Sequence, residues 1–325
     1  MVIESLIVVM IGFAVAAVCG IFMIPLLRRL KFGQEIRDEG PQWHKSKSGT
    51  PTMGGFIFIV AMLIAVAAGI FVCRIADDAQ SIKGIGVITL AALGFGAVGF
   101  VDDYIKVILK RNLGLKAGQK FALQFLVALL FSVWLTSGRI IDTEIAIPFT
   151  GINIDLSYFY IPFIVLVMLA AVNSVNLTDG LDGLAGFITL VVCVFYCIIS
   201  NKVGSVPIAV FSSALIGSLA GFLLYNKFPA KVFMGDTGSL FLGGAVAAMA
   251  IYLRNPLLLL VVGFVYVAEA LSVIIQVAWF KKTGKRIFKM SPIHHHFEMC
   301  GWSEIKIVAI FSLVTAILCL IGYLA

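Results

Sequence analysis

Long apolar runs alternate with short polar segments along the whole chain. Ten such runs, bounded by charged residues, glycine or proline, predict helices. Each run approaches the length of about 20 residues that a helix needs to cross the hydrocarbon core of a bilayer. The fold class is therefore predicted to be all-α, a polytopic integral membrane protein with about ten transmembrane helices. These lie near residues 2–27, 53–73, 84–101, 120–137, 158–174, 184–200, 206–224, 238–253, 257–279 and 305–324.

The segment between the fourth and fifth predicted helices has a different pattern. Its alternating apolar residues around a turn signal predict a short β-hairpin within 138–157. Composition agrees with the membrane class, because 61% of the 325 residues are apolar and 13% are charged. Soluble domains have roughly 45–50% and 25%. No soluble domain or convincing repeat interrupts the runs, so residues 1–325 are expected to form a single domain.

The distribution of lysine and arginine predicts the orientation of the helices. With the N-terminus outside, 19 of the 24 basic residues fall in inner loops and five in outer loops. Cytoplasmic loops of membrane proteins carry such an excess of positive charge. Both termini are therefore predicted on the outer face, and the polar motifs on the cytoplasmic face. Basic loops also contact anionic lipid head groups, so we expect membrane lipids, and no nucleic acid, as partners.

Two adjacent aspartates, Asp102 and Asp103, end the third predicted helix. Neighbouring residues on a helix point about 100° apart, so the two carboxylates are not expected to play the same role. We expect one to face a reactive centre and the other to hold the loop or a metal ion. An aspartate pair at a helix end is weak evidence alone, and its weight comes from the other motifs on the same side.

Four polar residues recur at intervals of three around the end of the fifth predicted helix: Asn173, Asn176, Asp179 and Asp182. Polar side chains at the end of an apolar helix need partners. Glycine follows each of the two aspartates, which predicts that the helix is interrupted at this point. Carboxylate and amide oxygens suit Mg²⁺ and hydroxyl-rich ligands. A purely structural polar turn is the less favoured alternative.

A third acidic motif, from Phe233 to Ser239, places Asp236 between glycines at the start of the eighth predicted helix. Free N–H groups at a helix N-terminus suit a phosphate, and Gly235 allows its close approach. The ring of Phe233 offers a stacking face to a base. Taken alone, the motif is equally consistent with an ordinary turn.

Three consecutive histidines, His294, His295 and His296, lie in the last inner loop. A zinc site is disfavoured, because only His294 and His296 would share a face of an extended chain and no cysteine cluster completes the ligand set. Hydrogen bonding to a phosphate, or acid–base catalysis near neutral pH, fits better.

Among the basic residues, Lys47 and Lys120 are best placed to hold a pyrophosphate. Lys47 precedes the glycine-rich segment that contains Thr52, and Lys120 opens the fourth predicted helix. Glu269 is unusual because it lies in the middle of a predicted span. A charge there costs about 2.5–3.5 kcal/mol or more unless it is paired or protonated. We favour a structural partner on a neighbouring helix over a direct function.

The gathering of these motifs at one water interface favours an enzyme over a transporter. A secondary transporter places its ionisable groups near the bilayer midplane, between inverted repeats, and only Glu269 fits that description. The Asp-Gly and Ala-Arg spacing of a CDP-alcohol phosphotransferase, another class of membrane enzyme, is absent from the sequence.

As a set, the motifs closely resemble those of the bacterial phospho-N-acetylmuramoyl-pentapeptide transferase family. The resemblance rests on residues 47–55, 101–104, 173–183, 228–239 and 292–298, which occur in the family's order along the whole chain. The wider superfamily of polyprenyl-phosphate N-acetylhexosamine-1-phosphate transferases shares the aspartate motifs. The Pro-Ile-His-His-His segment resembles the muramoyl-pentapeptide branch in particular.

The resemblance implies a transmembrane catalytic domain in the bacterial inner (plasma) membrane, with a cytoplasmic site and Mg²⁺ as cofactor. It also implies transfer of phospho-N-acetylmuramoyl-pentapeptide from its UDP carrier to undecaprenyl phosphate, which gives lipid I and UMP in peptidoglycan synthesis. The sister activity, transfer of an N-acetylhexosamine 1-phosphate, is the alternative. We allow for a homodimer.

Site residues carry over by the same resemblance. The positions that match essential catalytic residues are Asp102, Asp103, Asp236, His294 and His295. Asp236 matches a Mg²⁺ ligand, with Asp179 as the second expected ligand, and Phe233 matches an aromatic residue that stacks on uracil. The expected substrate-binding residues are Lys47, Thr52, Lys120, Asn173, Asn176, Asp179, Asp182, Asn226, Phe233, Gly235, Ser239, Gln276 and His296. Asp102 is expected to orient or deprotonate the attacking phosphate, and a covalent aspartyl intermediate stays open.

Overall fold

The computed structural model describes residues 2–30, 47, 49–107, 109 and 114–325. The described chain is dominated by helices whose limits lie close to the predicted ones. In chain order these are α1 (Val2–Arg29), α2 (Gly55–Val72), α3 (Ala79–Val107), α4 (Ala117–Ser137), α5 (Tyr160–Thr178), α6 (Leu184–Val203), α7 (Val206–Asn226), α8 (Gly235–Tyr252), α9 (Leu259–Val262), α10 (Phe264–Thr283), α11 (Ile293–Glu298) and α12 (Glu304–Gly322). Nine of the described helices, α1 to α7, α10 and α12, are long and apolar enough to cross a membrane. The prediction of an all-α multi-pass membrane protein is confirmed.

The tenth long helix, α8, was predicted near 238–253 but differs from the others in composition. Its 18 residues include four glycines and Asp236, and it is not among the helices apolar enough to span. Every residue from Thr237 to Ile251 is buried. A helix that is surrounded by other helices packs through small residues and needs no apolar surface for lipid. The glycines and alanines of α8 therefore fit its place in the centre of the bundle.

The most extensive helix packing in the described chain is between α3 and α8, which are in contact over much of their length. Gly99 in α3 makes this approach possible, because a Cβ at that position would lie only 2.1 Å from the main-chain oxygen of Asp236. The end of α3, which carries Asp102 and Asp103, is thereby held against the start of α8. Two of the three acidic motifs are brought together by helix packing alone.

The predicted hairpin is present at the other end of the bundle. Strands β1 (Glu144–Ile147) and β2 (Ile152–Asp155) pair antiparallel, with Glu144 opposite Asp155. The Ala146 N–H donates to the main-chain oxygen of Arg254 at 2.7 Å. This contact ties the hairpin to the loop that follows α8.

The ninth predicted helix, 257–279, is not continuous, and that prediction is wrong in detail. A short 3₁₀ turn over 256–258 leads into the single turn α9, and Gly263 separates α9 from α10. A Cβ at Gly263 would lie 2.7 Å from the Leu259 oxygen. The glycine therefore permits a change of direction that a larger residue would obstruct.

The histidine run is helical, so the extended conformation considered for it is not adopted. His294, His295 and His296 lie in the first turns of α11, directly after Pro292. Proline is well tolerated next to the start of a helix, where an N–H would have no intrahelical partner. Because consecutive residues on a helix diverge by about 100°, the three imidazoles point to different surroundings.

Candidate active site

Asp236, in the first turn of α8, is the centre of a polar cluster to which three other helices contribute. Its Oδ2 accepts hydrogen bonds from Lys106 Nζ of α3 at 2.8 Å and from Lys120 Nζ of α4 at 2.9 Å. Its Oδ1 accepts from Asn176 Nδ2 of α5 at 2.9 Å, and the same amide donates to Ser239 Oγ at 2.7 Å. Four predicted site residues are thus brought together, and Lys106 joins them.

Asp103 caps the helix that carries Asp236. Its Oδ1 accepts from the Asp236 N–H at 3.1 Å, and its Oδ2 accepts from the Thr237 N–H at 2.8 Å and the Thr237 hydroxyl at 2.6 Å. A carboxylate here satisfies N–H groups that have no intrahelical partner and complements the helix dipole. Asp103 is therefore the aspartate of the pair that holds the structure, as expected for one of the two.

Asp102 faces a different direction, toward the segment after α3. Its Oδ1 accepts from the Leu115 N–H at 2.8 Å, and its Oδ2 forms an ion pair with Lys106, four residues later on the same helix. Only 2% of Asp102 is exposed. Asp102 thus shares Lys106 with Asp236, and the two carboxyl groups also interact directly.

Thr52 and Gly235 pack beside Asp103. Gly235 has a φ of 73°, in the left-handed region that favours glycine. A Cβ there would also lie 2.6 Å from Asp103 Oδ2 and 2.9 Å from Thr52 Oγ1. Glycine is therefore required at 235 by both its backbone conformation and its neighbours.

Phe233 is fixed through its backbone to the segment before α2. Its N–H donates to the Pro51 oxygen at 2.8 Å, and its own main-chain oxygen accepts from the Gly54 N–H at 2.8 Å. The side chain is half-buried, so part of the ring is open to a ligand. Phe233 lies two residues before Gly235, and stacking of its ring on a base stays a prediction.

Asn173 lies at the edge of a cavity between α4 and α5. Its Nδ2 donates to Gln124 Oε1 at 3.0 Å and to the Leu169 oxygen at 2.8 Å. The cavity has a volume of about 480 Å³ and is lined by Ala117, Gly118, Lys120, Phe121, Gln124 and Asn173. Since Lys120 also contacts Asp236, the cavity provides room for a ligand directly beside the cluster.

Asp179 follows the last turn of α5, and its carboxylate makes no hydrogen bond to any residue that the structure describes. Burial raises the pKa of this carboxyl well above its usual range, and the nearby carboxylates of Asp236, Asp103 and Asp182 raise that pKa further. Like charges held this close oppose ionisation. The crowding indicates a place where a cation would be stabilised.

Lys47 and Asp182 belong to a separate ion cluster. Lys47 Nζ donates to Asp182 Oδ1 at 2.8 Å and to Glu304 Oε2 at 2.6 Å, while Asp182 Oδ2 accepts from the Ala230 N–H at 2.9 Å. Asn226 holds the same loop, since its Nδ2 donates to the Val232 oxygen at 2.9 Å. These predicted substrate-binding residues contact one another and the loop between α7 and α8 rather than Asp236. Their binding to substrate stays a prediction.

Gln276 and His296 hold the loop between α10 and α11. Gln276 Oε1 accepts from the N–H groups of Ile287 and Phe288 at 3.1 and 3.0 Å. His296 Nδ1 accepts from the Lys289 N–H at 3.1 Å. Both were predicted to bind substrate, and in this structure both shape the loop.

The other two histidines each pair with a glutamate. His294 Nδ1 lies 3.0 Å from Glu269 Oε2, and His295 Nδ1 lies 2.6 Å from Glu298 Oε2. The partner expected for the mid-span Glu269 is therefore His294. The rings of His294 and His295 are adjacent, with centroids 4.1 Å apart.

Four residues that complete these contacts were not among the predicted site residues: Lys106, Gln124, Thr237 and Glu298. A signal existed for Lys106, because residues four apart face each other on a helix and Asp102 lies at that distance. Glu298 likewise pairs with His295 three residues earlier on α11, whereas Gln124 and Thr237 depend on contacts between different helices, which no local pattern reveals.

Comparisons with known proteins show the family. The chain is 49% identical over 316 residues to phospho-N-acetylmuramoyl-pentapeptide-transferase of Clostridium botulinum, with 97% of this chain and 94% of the relative covered. The chain belongs to the phospho-N-acetylmuramoyl-pentapeptide-transferase family. Proteins of the same name are 51% identical over 317 residues in Clostridium novyi, with 98% and 95% covered, and 48% identical over 329 residues in Alkaliphilus metalliredigens, with 98% and 96% covered. Residues 85–254 also match the family described as Glycosyl transferase family 4.

Membership of the phospho-N-acetylmuramoyl-pentapeptide-transferase family confirms the resemblance drawn from the motifs. The chain is an enzyme, a phospho-sugar transferase embedded in a membrane through multiple helices. The matched region 85–254 contains Asp102, Asp103, Lys120 and Asp236, which are the residues that helix packing brings together.

Proposed function

We propose that this enzyme transfers phospho-N-acetylmuramoyl-pentapeptide from its UDP carrier to undecaprenyl phosphate, giving lipid I and UMP in peptidoglycan synthesis. The names of the relatives support the transferred group. One structural observation carries the chemistry: two ammonium groups, from α3 and α4, lie within 2.9 Å of the Asp236 carboxylate at the start of α8. Such an arrangement suits a diphosphate, whose negative charge must be neutralised during transfer.

The reaction exchanges one phosphoanhydride bond for another. An oxygen of the lipid phosphate forms a bond to the phosphorus that carries the sugar, and the bond from that phosphorus to the bridging oxygen breaks. The electron pair of the broken bond leaves on the phosphate of UMP. Because a diphosphate is both consumed and formed, the step is nearly balanced and reversible and needs no ATP.

Each residue of the cluster has a role that follows from its contacts. Lys106 and Lys120 neutralise charge on the diphosphate oxygens, which is the main catalytic contribution in phosphoryl transfer. Asp102 orients Lys106 and the attacking phosphate. Its Oδ1 accepts from the Leu115 N–H, its Oδ2 forms an ion pair with Lys106, and the residue is 2% exposed, which favours orientation over attack as a nucleophile. Asp103 holds Asp236 in place.

Mg²⁺ fits this cluster in both charge and donor type. The cluster contains two lysines and four carboxylates, those of Asp102, Asp103, Asp179 and Asp236. Mg²⁺ prefers hard oxygen donors of this kind. Asp236 and Asp179 would hold the ion, because Asp103 is engaged as a cap. No group of three or more histidine, cysteine or acidic side chains in the described ranges is assembled for a metal, so waters and diphosphate oxygens would complete the shell, as is usual for Mg²⁺. A bound ion would supply further charge neutralisation to the transferred group.

The proposed location is the bacterial inner membrane, with the site on the cytoplasmic face and both termini outside. The excess of lysine and arginine in the loops at the Asp236 end of the bundle supports this orientation. A nucleotide-linked substrate is water-soluble and reaches the cluster from that side. The cavity beside Lys120 opens between α4 and α5, whose outer surfaces are apolar, as a lipid acceptor requires.

An assay of the purified enzyme tests the activity. With UDP-N-acetylmuramoyl-pentapeptide and undecaprenyl phosphate, we expect release of UMP and formation of a lipid-linked product. The Asp236→Asn variant, prepared in parallel, controls for contaminating activity. Release of UDP would show attack at the sugar carbon, and turnover with UDP-N-acetylglucosamine alone would place the chain in the sister branch.

A further inference from the structure

Glu269 and His294 form a pair that the proposed chemistry leaves unexplained. Glu269 lies within α10 and is fully buried, and His294 in α11 is 1% exposed. Glu269 Oε2 is 3.0 Å from His294 Nδ1. An ionisable group at this depth is expensive to bury and is usually paired or functional.

Each residue of the pair has one further polar side-chain atom, and these atoms show where a ligand could bind. Glu269 Oε1 and His294 Nε2 are buried and have no hydrogen-bond partner among the residues that the structure describes. Glu269 Oε2 also accepts from the main-chain N–H of His294 at 3.5 Å, and an oxygen that acts as acceptor to His294 leaves the proton on Nδ1. Nε2 is then the nitrogen available for another group.

His294 Nε2 is directed at the turn that follows Asp179. A Cβ added to Gly180 would lie 2.2 Å from Nε2 and 2.6 Å from the adjacent ring carbon Cε1. The imidazole edge therefore rests on the main chain of Gly180, next to the carboxylate that we assign to the metal. A purely structural pair would direct its second nitrogen into a partner, and this one directs it to the candidate active site.

We propose that Glu269 is a positioning residue for His294, holding the imidazole so that Nε2 faces the Asp179–Gly180 turn and accepts a hydrogen bond from a hydroxyl of the bound diphosphate-sugar. The proposal rests on the proposed function and assigns a role to a residue that no motif contains. Glutamate orients the ring from behind, as carboxylates orient histidines in other sites, where removal of the orienting group lowers activity by about 10–100-fold.

Activity measurements give the first test. In Glu269→Leu, which removes the acceptor, we expect kcat/KM to fall about 10–100-fold, and Glu269→Gln, whose side-chain oxygen still accepts, should recover part of the loss. Tyr266→Phe is the matched control, because Tyr266 lies nearly one turn earlier in α10 and its hydroxyl contacts Thr189 in α6. It should change kcat/KM by less than about 2-fold, the size of effect of one weak contact.

A double variant separates positioning from a structural role. If Glu269 acts through His294, then adding Glu269→Leu to His294→Asn should lower the residual activity by no more than about 2-fold, because coupled residues are non-additive. A further 10-fold fall in that background would overturn the proposal.

Nitrogen-15 NMR of histidine-labelled enzyme gives a readout that does not depend on turnover. The chain has four histidines, so the His294 signals are those lost in His294→Asn. We expect a protonated Nδ1 in the unliganded enzyme and loss of that preference in Glu269→Leu but not in Tyr266→Phe. An unprotonated Nδ1, or a preference unchanged in Glu269→Leu, would overturn the proposal. Since this experiment needs no substrate, it stays decisive if the assay finds no transferase activity.

Discussion

Asp103 binds Thr237 through one carboxylate oxygen, which accepts from the Thr237 N–H at 2.8 Å and from its hydroxyl at 2.6 Å. This contact joins the end of α3 to the start of α8. Asp103 therefore affects the Asp236 cluster indirectly, by fixing the position of α8. The two aspartates of the pair should therefore fail in different ways when they are replaced.

Asp103→Ala should lower the stability of the fold as well as the activity. The variant leaves the N–H groups of Asp236 and Thr237 without their partner, and loss of a helix cap typically costs about 0.5–2 kcal/mol. Thermal unfolding of the detergent-purified protein measures this loss. Thr237→Val keeps the N–H contact and should therefore lose less stability. Equal stability of Asp103→Ala and the unchanged enzyme would exclude the capping role.

Asp102→Asn and Asp236→Asn should each keep the fold and lose activity by about 10²–10⁴, the range expected for a positioned charged group. The reason is that both substitutions remove charge from the lysine cluster without removing volume. Initial rates and unfolding temperatures are the measurements.

Asp78→Asn is the matched control for these two variants. Asp78 directly precedes α3 and accepts from the N–H groups of Gln80 and Ser81 in the first turn of that helix. Asparagine caps helices about as well as aspartate. Its rate should be close to that of the unchanged enzyme. An inactive Asp78→Asn variant beside an active Asp102→Asn variant would show that the active site is not at the Asp102 end of α3.

Removal of divalent cations should abolish turnover, with full recovery in Mg²⁺ and partial recovery in Mn²⁺. The expectation follows from the crowded carboxylates around Asp179 and from their oxygen-only donor set. Rates in EDTA, followed by titration with each ion, provide the measurement. Unimpaired rates in excess EDTA would exclude the metal.

Labelling of single cysteines should establish the orientation. In a variant lacking the six native cysteines, a cysteine that replaces the exposed Lys116 or Lys285 should react with a membrane-impermeant maleimide only after the membrane is permeabilised. A cysteine at Tyr158, which is 95% exposed beside the hairpin, should react in intact cells. The reverse labelling pattern would show that the predicted orientation of the helices is inverted.

Most of the fold could be predicted from the sequence, because spanning helices depend on the length and polarity of local runs. The limits of α1 to α7 and α12 follow the predicted runs closely. The break at Gly263 was missed, since a lone glycine within an apolar run is a weak signal. The helical turn at His294–His296 was missed because six residues carry too little periodicity.

The candidate site was predicted as a set of residues but not as a set of contacts. Motif spacing placed Asp236, Lys120 and Asn176 at one face of the membrane, and packing then joined them. The division between the Asp236 cluster and the Lys47–Asp182–Glu304 cluster had no signal, because it depends on distances between loops. The same is true of Glu269 and His294, which are 25 residues apart.

The composition of α8 has a consequence for how the enzyme is made. Insertion of a helix into the bilayer during synthesis depends on its own apolarity, and α8 is the one long helix in the part of the chain that the structure describes that is not among the candidate spans. Its glycines lie against α2, α3 and α5, which are synthesised earlier and can receive it. The segment that carries Asp236 is thus expected to enter the membrane by docking on completed neighbours. A chain released before α3 has settled would lack both the inserted helix and the charged cluster, so that correct biogenesis and catalytic competence are reached in the same step.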